Sequence, residues 1–332
     1  MLANSKHLDF ARLGNRWYKM AGDHSATGSP LDAAIPPNTF QGGRQEILSL
    51  NVPANDWRED TPYYLPASYG VQGADPDDSA FVVTVGSEIW VANSETNRGI
   101  DQPAAAAKQV DLRQQIGAYT PPSKQWPLGH WRVVALVPSI VRGNRAWRGF
   151  FDPVKNRIIV PAGNGTVFWV TIDATTGADM TQYANGQPVT HGNHWFTTAG
   201  VATDFANRKF YLYDIIDSEL WQADMDTLAL TKVANIPEPP AQTQSAVKIT
   251  WHPDLRAVVM NLQAKTHAFE VDSGRLTSWP RRDGYVNARG IYIPTSTLFF
   301  DPDTHDIVSV GTEDFNEGGG PAPLTYWRLK IH

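Results

Sequence analysis

An all-β chain, folded as a six-bladed β-propeller of four-stranded antiparallel blades, is what this sequence predicts, and three observations predict it. The stretch from Gly143 to Gly177 reads as three short strands separated by Asx, Gly and Pro turns, RAWRGFF, RIIVPA and TVFWVTI, the signature of an antiparallel meander. The first turn of that unit recurs at near-constant spacing: Asp152 to Asp204 is 52 residues, Asp204 to His252 is 48, and His252 to Asp301 is 49. Composition agrees, with 12 Trp, 26 Gly and 24 Pro at only 19% charged residues, which favours many short strands over helices.

Taken in order, the first unit opens at Asp9, with QEILSLNV as its third strand and Asp56-Trp57-Arg58 leading its fourth. The second is anchored at Asp75 and runs through SAFVVTVGSEIWV; the third is the Gly143–Gly177 unit, with a fourth strand expected near Met180–Tyr183. Asp204, His252-Pro253 and Asp301-Pro302 anchor the remaining three, giving blades of about 1–65, 66–140, 141–189, 190–240, 241–286 and 287–332 in one domain. Trp90, Trp169, Trp221 and Trp327 each follow an apolar residue in what reads as the third strand, where packing between blades is their expected role. The last unit ends on TYWRLKIH, so the final blade is expected to lack its outer strand and to present an open edge around Tyr326, Arg328 and Lys330. Two insertions interrupt the repeat, 24–43 and 94–118, and the only helical periodicity lies at Ala104–Ile116. Insertions of this length on a repeat scaffold tend to carry function.

The pattern of a third strand, a tight turn and a Trp opening the outer strand, in QEILSLNVPANDW and HAFEVDSGRLTSW, resembles kelch-type propellers. The Gly-Gly doublet of the second kelch strand is replaced here by Met20-Ala21-Gly22 and Pro161-Ala162-Gly163. Galactose-oxidase-like kelch enzymes need a Tyr crosslinked to Cys, and this chain has no Cys.

Several function classes are excluded or disfavoured. A net charge of −6 without a Lys/Arg run longer than two leaves no electrostatic footprint for nucleic acid. No apolar stretch approaches 18 residues and no apolar run follows Met1, so neither membrane insertion nor a signal peptide is expected, and cytoplasmic synthesis is. No Cys means no disulfide and no thiolate chemistry. No catalytic motif occurs and no cofactor is implied. His191-Gly192-Asn193-His194, in the loop leading into the fourth unit, is the nearest approach to a metal pair, and imidazole at this spacing would suit a transition metal if a third ligand approached.

Three readings of function follow. The first is a non-enzymatic disk in a large assembly such as a bacteriophage virion or tail, docking other protein chains through the open edge and the insertions. The second is a propeller hydrolase or lactonase with a divalent cation in the central channel. The third is a glycan-binding propeller presenting Trp126, Trp131 and Trp195.

Overall fold

An Asp at the end of a short apolar strand captures the backbone N–H groups two and three residues on and reverses the chain; the structure shows this device setting the period of the fold. The computed structural model describes residues 10–23, 44–59, 79–93, 115–124, 130–136, 138, 148–163, 165–196, 200–237, 247–262, 265–280, 285–286, 292–293, 297–312 and 324–330, and no helix occurs among them. Blade one comprises β1 (Phe10–Leu13), β2 (Arg16–Asp23), β3 (Arg44–Asn51) and β4 (Asp56–Glu59). Blade two comprises β5 (Ser79–Val85), β6 (Glu88–Asn93), β7 (Gln115–Thr120) and β8 (His130–Leu136). Blade three has β9 (Phe150–Asp152), β10 (Arg157–Ala162) and β11 (Gly165–Asp173), then a small hairpin of β12 (Tyr183–Ala184) and β13 (Gln187–Pro188), and finally β14 (Thr190–His194) on the outer edge of β11. Blade four holds β15 (Ala202–Asp204), β16 (Lys209–Asp214), β17 (Glu219–Asp224) and β18 (Leu230–Asn235). Blade five holds β19 (Lys248–His252), β20 (Ala257–Leu262), β21 (Lys265–Glu270) and β22 (Leu276–Pro280). After the hairpin of β23 (Tyr285–Val286) and β24 (Tyr292–Ile293), blade six has β25 (Thr297–Asp301), β26 (Asp306–Thr312) and β27 (Leu324–Leu329), three strands among the described residues. All pairings within the blades are antiparallel and between sequence neighbours, save that of β11 with β14 across the β12–β13 hairpin.

The core is distributed. Six apolar clusters occur among the described residues, and each joins two consecutive blades: Ala11, Ile89 and Tyr119 between one and two; Phe81, Trp90, Ile158 and Phe168 between two and three; Ile159, Trp169, Phe210 and Leu212 between three and four; Tyr211, Trp251 and Met260 between four and five; Val259, Leu298 and Ile307 between five and six; Leu50, Phe299 and Val308 between six and one. The last closes the ring. A middle strand therefore buries both faces, which is why RIIVPA is continuously apolar: Ile158 and Val160 face blade two, Ile159 faces blade four.

The repeated turn carries a second function. Asp152, Asp204 and Asp301 cap their own turns through Val154, Asn207 and Thr304, and the residue four positions on adopts a left-handed conformation: Asn156 at φ 48°, Arg208 at 54°, Arg256 at 47° and His305 at 55°. From that position three of the four side chains reach back to the preceding blade, while Asn156 donates to Thr175 of its own blade at 2.7 Å. Arg208 makes bidentate bonds of 2.9 and 3.0 Å to Asp152, Arg256 approaches Asp204 at 3.9 Å, and His305 lies 2.6 Å from Asp254. Across the closing seam Trp17 donates to Asp301 at 2.8 Å and Arg12 to Asp303 at 2.6 Å.

Three expectations are corrected. Trp90 lies in the second strand of its blade, not the third, because the β5–β6 turn is the two-residue Gly86-Ser87 hairpin, with Gly86 at φ 60° and no anchoring Asp. Trp169, Trp221 and Trp327 do occupy third strands, and Trp169 donates its indole N–H to the Leu228 carbonyl of blade four at 2.9 Å. The outer strand of blade three is Thr190–His194 and not Met180–Tyr183, so His191 and His194 sit on a strand. The expected helix lies outside the described residues except for Gln115 and Ile116, which begin β7.

Candidate functional site in the central channel

The inner strand of each blade, β1, β5, β9, β15, β19 and β25, lines a central cavity of about 770 Å³. Its walls are apolar: Phe10, Val82, Phe150, Phe151, Val201, Ile249, Trp251, Leu298, Phe299 and Phe300. One mouth is rimmed by the residues that follow the turn anchors, Pro153, Phe205, Pro253 and Pro302, with exposed Ala206 beside them. The Asp-Pro pair that sets the repeat thus does two jobs, the Asp clasping the next blade and its neighbour shaping the mouth.

Polar groups in the lining are few. Thr84, Thr203, Thr250 and Thr297 supply hydroxyls, and the charged residues are Arg12, Arg148, Arg256 and Asp204. Arg12 is paired with Asp303, and Arg256 with Asp272 at 2.9 Å, which holds the Asp272 carboxyl below its ordinary range. Asp204 accepts from the Asn207 side chain at 2.7 Å and is itself buried. Arg148 stands at the opposite end of the inner strands from the turn anchors, is buried, and lies across Gly200, where an added Cβ would sit 3.0 Å from Nη1. Behind the wall, Tyr211 stacks on Trp251 at 5.5 Å, and burial pushes its phenol up to about 12.

The residues singled out from sequence fall elsewhere. The His191 ring lies 5.0 Å from that of Trp169, and burial lowers its pKa, so it is neutral near pH 7. His194 Nδ1 lies 3.1 Å from Asp214 Oδ2, and its ring packs against Phe196 and Trp221. Asp214 also accepts the N–H groups of Trp195, Ile216 and Asp217. The two histidines are thus tied separately into the junction of blades three and four, and no three His, Cys, Asp or Glu side chains converge as metal ligands among the described residues. Trp195 is partly buried against the cluster between blades four and five. Trp131 lies in β8 opposite Tyr119, its side chain outside the described set, and Trp126 lies outside it altogether. On the last blade Tyr326 pairs with Val310 in β27, exposed Arg328 bonds Asp306 at 2.6 Å, and exposed Lys330 follows the strand. The insertion 24–43 is outside the described residues, as is 94–114.

Sequence reasoning missed the channel residues because each blade contributes only three to six of them. Arg148 had one legible mark, its place four residues before the anchor Asp152, which aligns it with Gly200, Lys248 and Thr297.

No protein-family model matches the chain, and no curated protein is similar to it in sequence. Among solved structures it is similar to a candidate 6-phosphogluconolactonase from Bacteroides fragilis, at 13% identity and TM-score 0.50, over 99% of this chain and 85% of that one. It is also similar to a luciferin-regenerating enzyme, at 9% identity and TM-score 0.52, over 99% of this chain and 92% of that one. These likenesses establish the propeller fold over the length of the chain. They also correct the expectation of a non-enzymatic assembly or virion component: both of these propellers, matched over 99% of this chain, are described as enzymes.

Proposed function

We propose that the chain is a propeller hydrolase that opens small lactones or related esters in its central channel. The observation that carries the reading is the 770 Å³ cavity itself, concave, apolar-walled and furnished with a few converging polar groups, the usual form of a small-molecule site. The description of the Bacteroides fragilis propeller as a lactonase supports the reaction class, and that of the luciferin-regenerating enzyme supports an enzymatic role.

The cation of the earlier alternative does not fit the described lining. Asp204 is its one carboxylate, already committed to Asn207, and no His lines the cavity, whereas a hard divalent cation wants six or more oxygen ligands. No step is therefore routed through a metal. Hydrolysis adds water to the acyl carbon; the tetrahedral oxyanion collapses, the ring C–O bond breaks, the ring oxygen takes a proton, and a hydroxy acid leaves as its carboxylate with release of a proton. Arg148 is the lining group suited to hold the oxyanion and then the carboxylate, because charge-assisted bonds from a guanidinium strengthen as negative charge develops.

Proton release in a pH-stat, measured over a panel of γ- and δ-lactones that includes sugar lactones with and without phosphate and aromatic lactones, tests the proposal. Turnover of at least one class above its spontaneous rate is expected; spontaneous rates across the whole panel would overturn it.

A further inference from the structure

Arg148 is conformationally unlike its peers. Nine non-glycine residues among those described adopt positive φ; eight of them sit in or close tight turns, and the ninth, Arg148 at φ 60°, stands two residues before inner strand β9. A left-handed conformation strains an arginine, and residues held in such conformations cluster at functional sites. Gly200, at φ 88°, leaves the room in which the Arg148 side chain lies, since a Cβ there would meet Arg148 Cδ at 3.2 Å. Backbone strain and a glycine-cleared cradle thus serve to keep a buried guanidinium at one end of the channel. With five N–H donors, it can serve a ligand as well as a protein neighbour.

The rest of the lining defines what that ligand is. Eight of its 28 residues are aromatic, against 11% of the whole chain. Besides the indole N–H groups of Trp17, donated to Asp301, and of Trp251, the uncharged polar groups described there are four threonines, with no Asn, Gln, Glu, His or Lys. A polyhydroxylated sugar entering this site would leave most of its hydroxyls without partners, at a cost for each. A flat apolar ring system would instead lie against the partly exposed rings of Phe151 and Phe300 and the channel-facing edges of Trp251 and Phe299.

We propose that the channel takes an aromatic or fused-ring substrate, its flat body between the aromatic walls and its acyl group, which ends as a carboxylate, directed at Arg148. This rests on the hydrolase reading and names its substrate class.

The probe is 2-naphthoate, a product-like aromatic carboxylate, followed by titration calorimetry against wild type, with 2-naphthamide and gluconate as comparators. Naphthoate is expected to bind about tenfold or more tightly than either comparator, the discrimination a charged hydrogen bond supplies. Arg148→Gly should abolish that preference and Arg148→Lys keep part of it, while the melting temperature of Arg148→Gly shows whether a loss is one of folding. Gluconate binding as tightly as naphthoate, undiminished naphthoate binding by a folded Arg148→Gly protein, or no naphthoate binding by wild type would each overturn the inference. Sugar-lactone turnover without naphthoate binding would sink this inference and leave the hydrolase reading standing. Naphthoate binding without turnover of any lactone would do the reverse.

Discussion

Arg208→Met would remove the strongest of the clasps between blades. Asp152 is fully buried, and Arg208 holds it through two bonds of 2.9 and 3.0 Å while also bonding Asp226 at 2.8 Å. Burial alone would raise the Asp152 pKa, but the bonds and charge of Arg208, with backbone N–H groups of Val154 and Lys155, outweigh it, and the carboxyl titrates below its ordinary value. Breaking a buried ion pair from one side costs about 3–5 kcal/mol; Arg157, 3.4 Å from the same carboxylate, and the remaining N–H donors reduce this to roughly 2–3 kcal/mol. In a chain of this size that is a fall of about 4–8 °C in Tm at pH 7. Because the folded pKa is depressed, the clasp's contribution is present above the unfolded carboxyl pKa and is lost as pH falls through the folded one. Below pH of about 4, then, the deficit of the variant should shrink. A double-mutant cycle with Asp152→Asn, followed by chemical denaturation, isolates the pair. A coupling below about 0.5 kcal/mol would refute the view that the turn anchors hold neighbouring blades together.

Three further outcomes follow from the same geometry. Trp17→Phe removes the indole N–H donated to buried Asp301 across the ring-closing seam; it should cost about 1–2 kcal/mol by denaturant titration, and an unchanged midpoint would dissociate that bond from closure. Gly163→Ala places a Cβ 1.9 Å from the Thr166 carbonyl oxygen at φ 118° and should cost on the order of 3 kcal/mol or more, whereas Gly86→Ala, at φ 60° with nothing within 4 Å, should cost about 1 kcal/mol. Equal melting temperatures for the two glycine variants would contradict this. His305, whose pKa Asp254 raises, supports the clasp between blades five and six: its contribution is full below the ordinary His pKa and is lost as pH rises through the higher folded value. His305→Asn should therefore lower Tm more at pH 5.5 than at pH 8.5, and a pH-independent difference would be inconsistent with the charge-assisted bond.

The fold was legible where a local device repeats. Asp152, Asp204 and Asp301 declare their turns in sequence because an Asx turn is complete within four residues, and the chain spacing then counts the blades. It was misread where the device is absent, as at the Gly86-Ser87 hairpin, which shifted Trp90 by one strand. The outer strand Thr190–His194 escaped notice because THGNH has little strand propensity; it is held by pairing to β11 across an irregular register at Thr166–Phe168. Asn156, Arg208, Arg256 and His305 are chemically dissimilar, and only the shared left-handed backbone shows their common position. The channel was illegible for a different reason. Its walls are brought together from six strands between Phe10 and Pro302, and no pair of residues near in sequence announces a cavity.

Whether chemistry takes place in that channel is tested most directly by closing its mouth. Ala206 is exposed on the rim, beside Phe205, and a tryptophan there would cover the opening without entering the core. The measurement is kcat/KM for the best lactone of the panel in Ala206→Trp against wild type, at matched Tm. The account predicts a fall of about tenfold or more, as expected when a substrate is displaced from its reacting position; turnover equal to that of wild type would place the reaction outside the channel and contradict it.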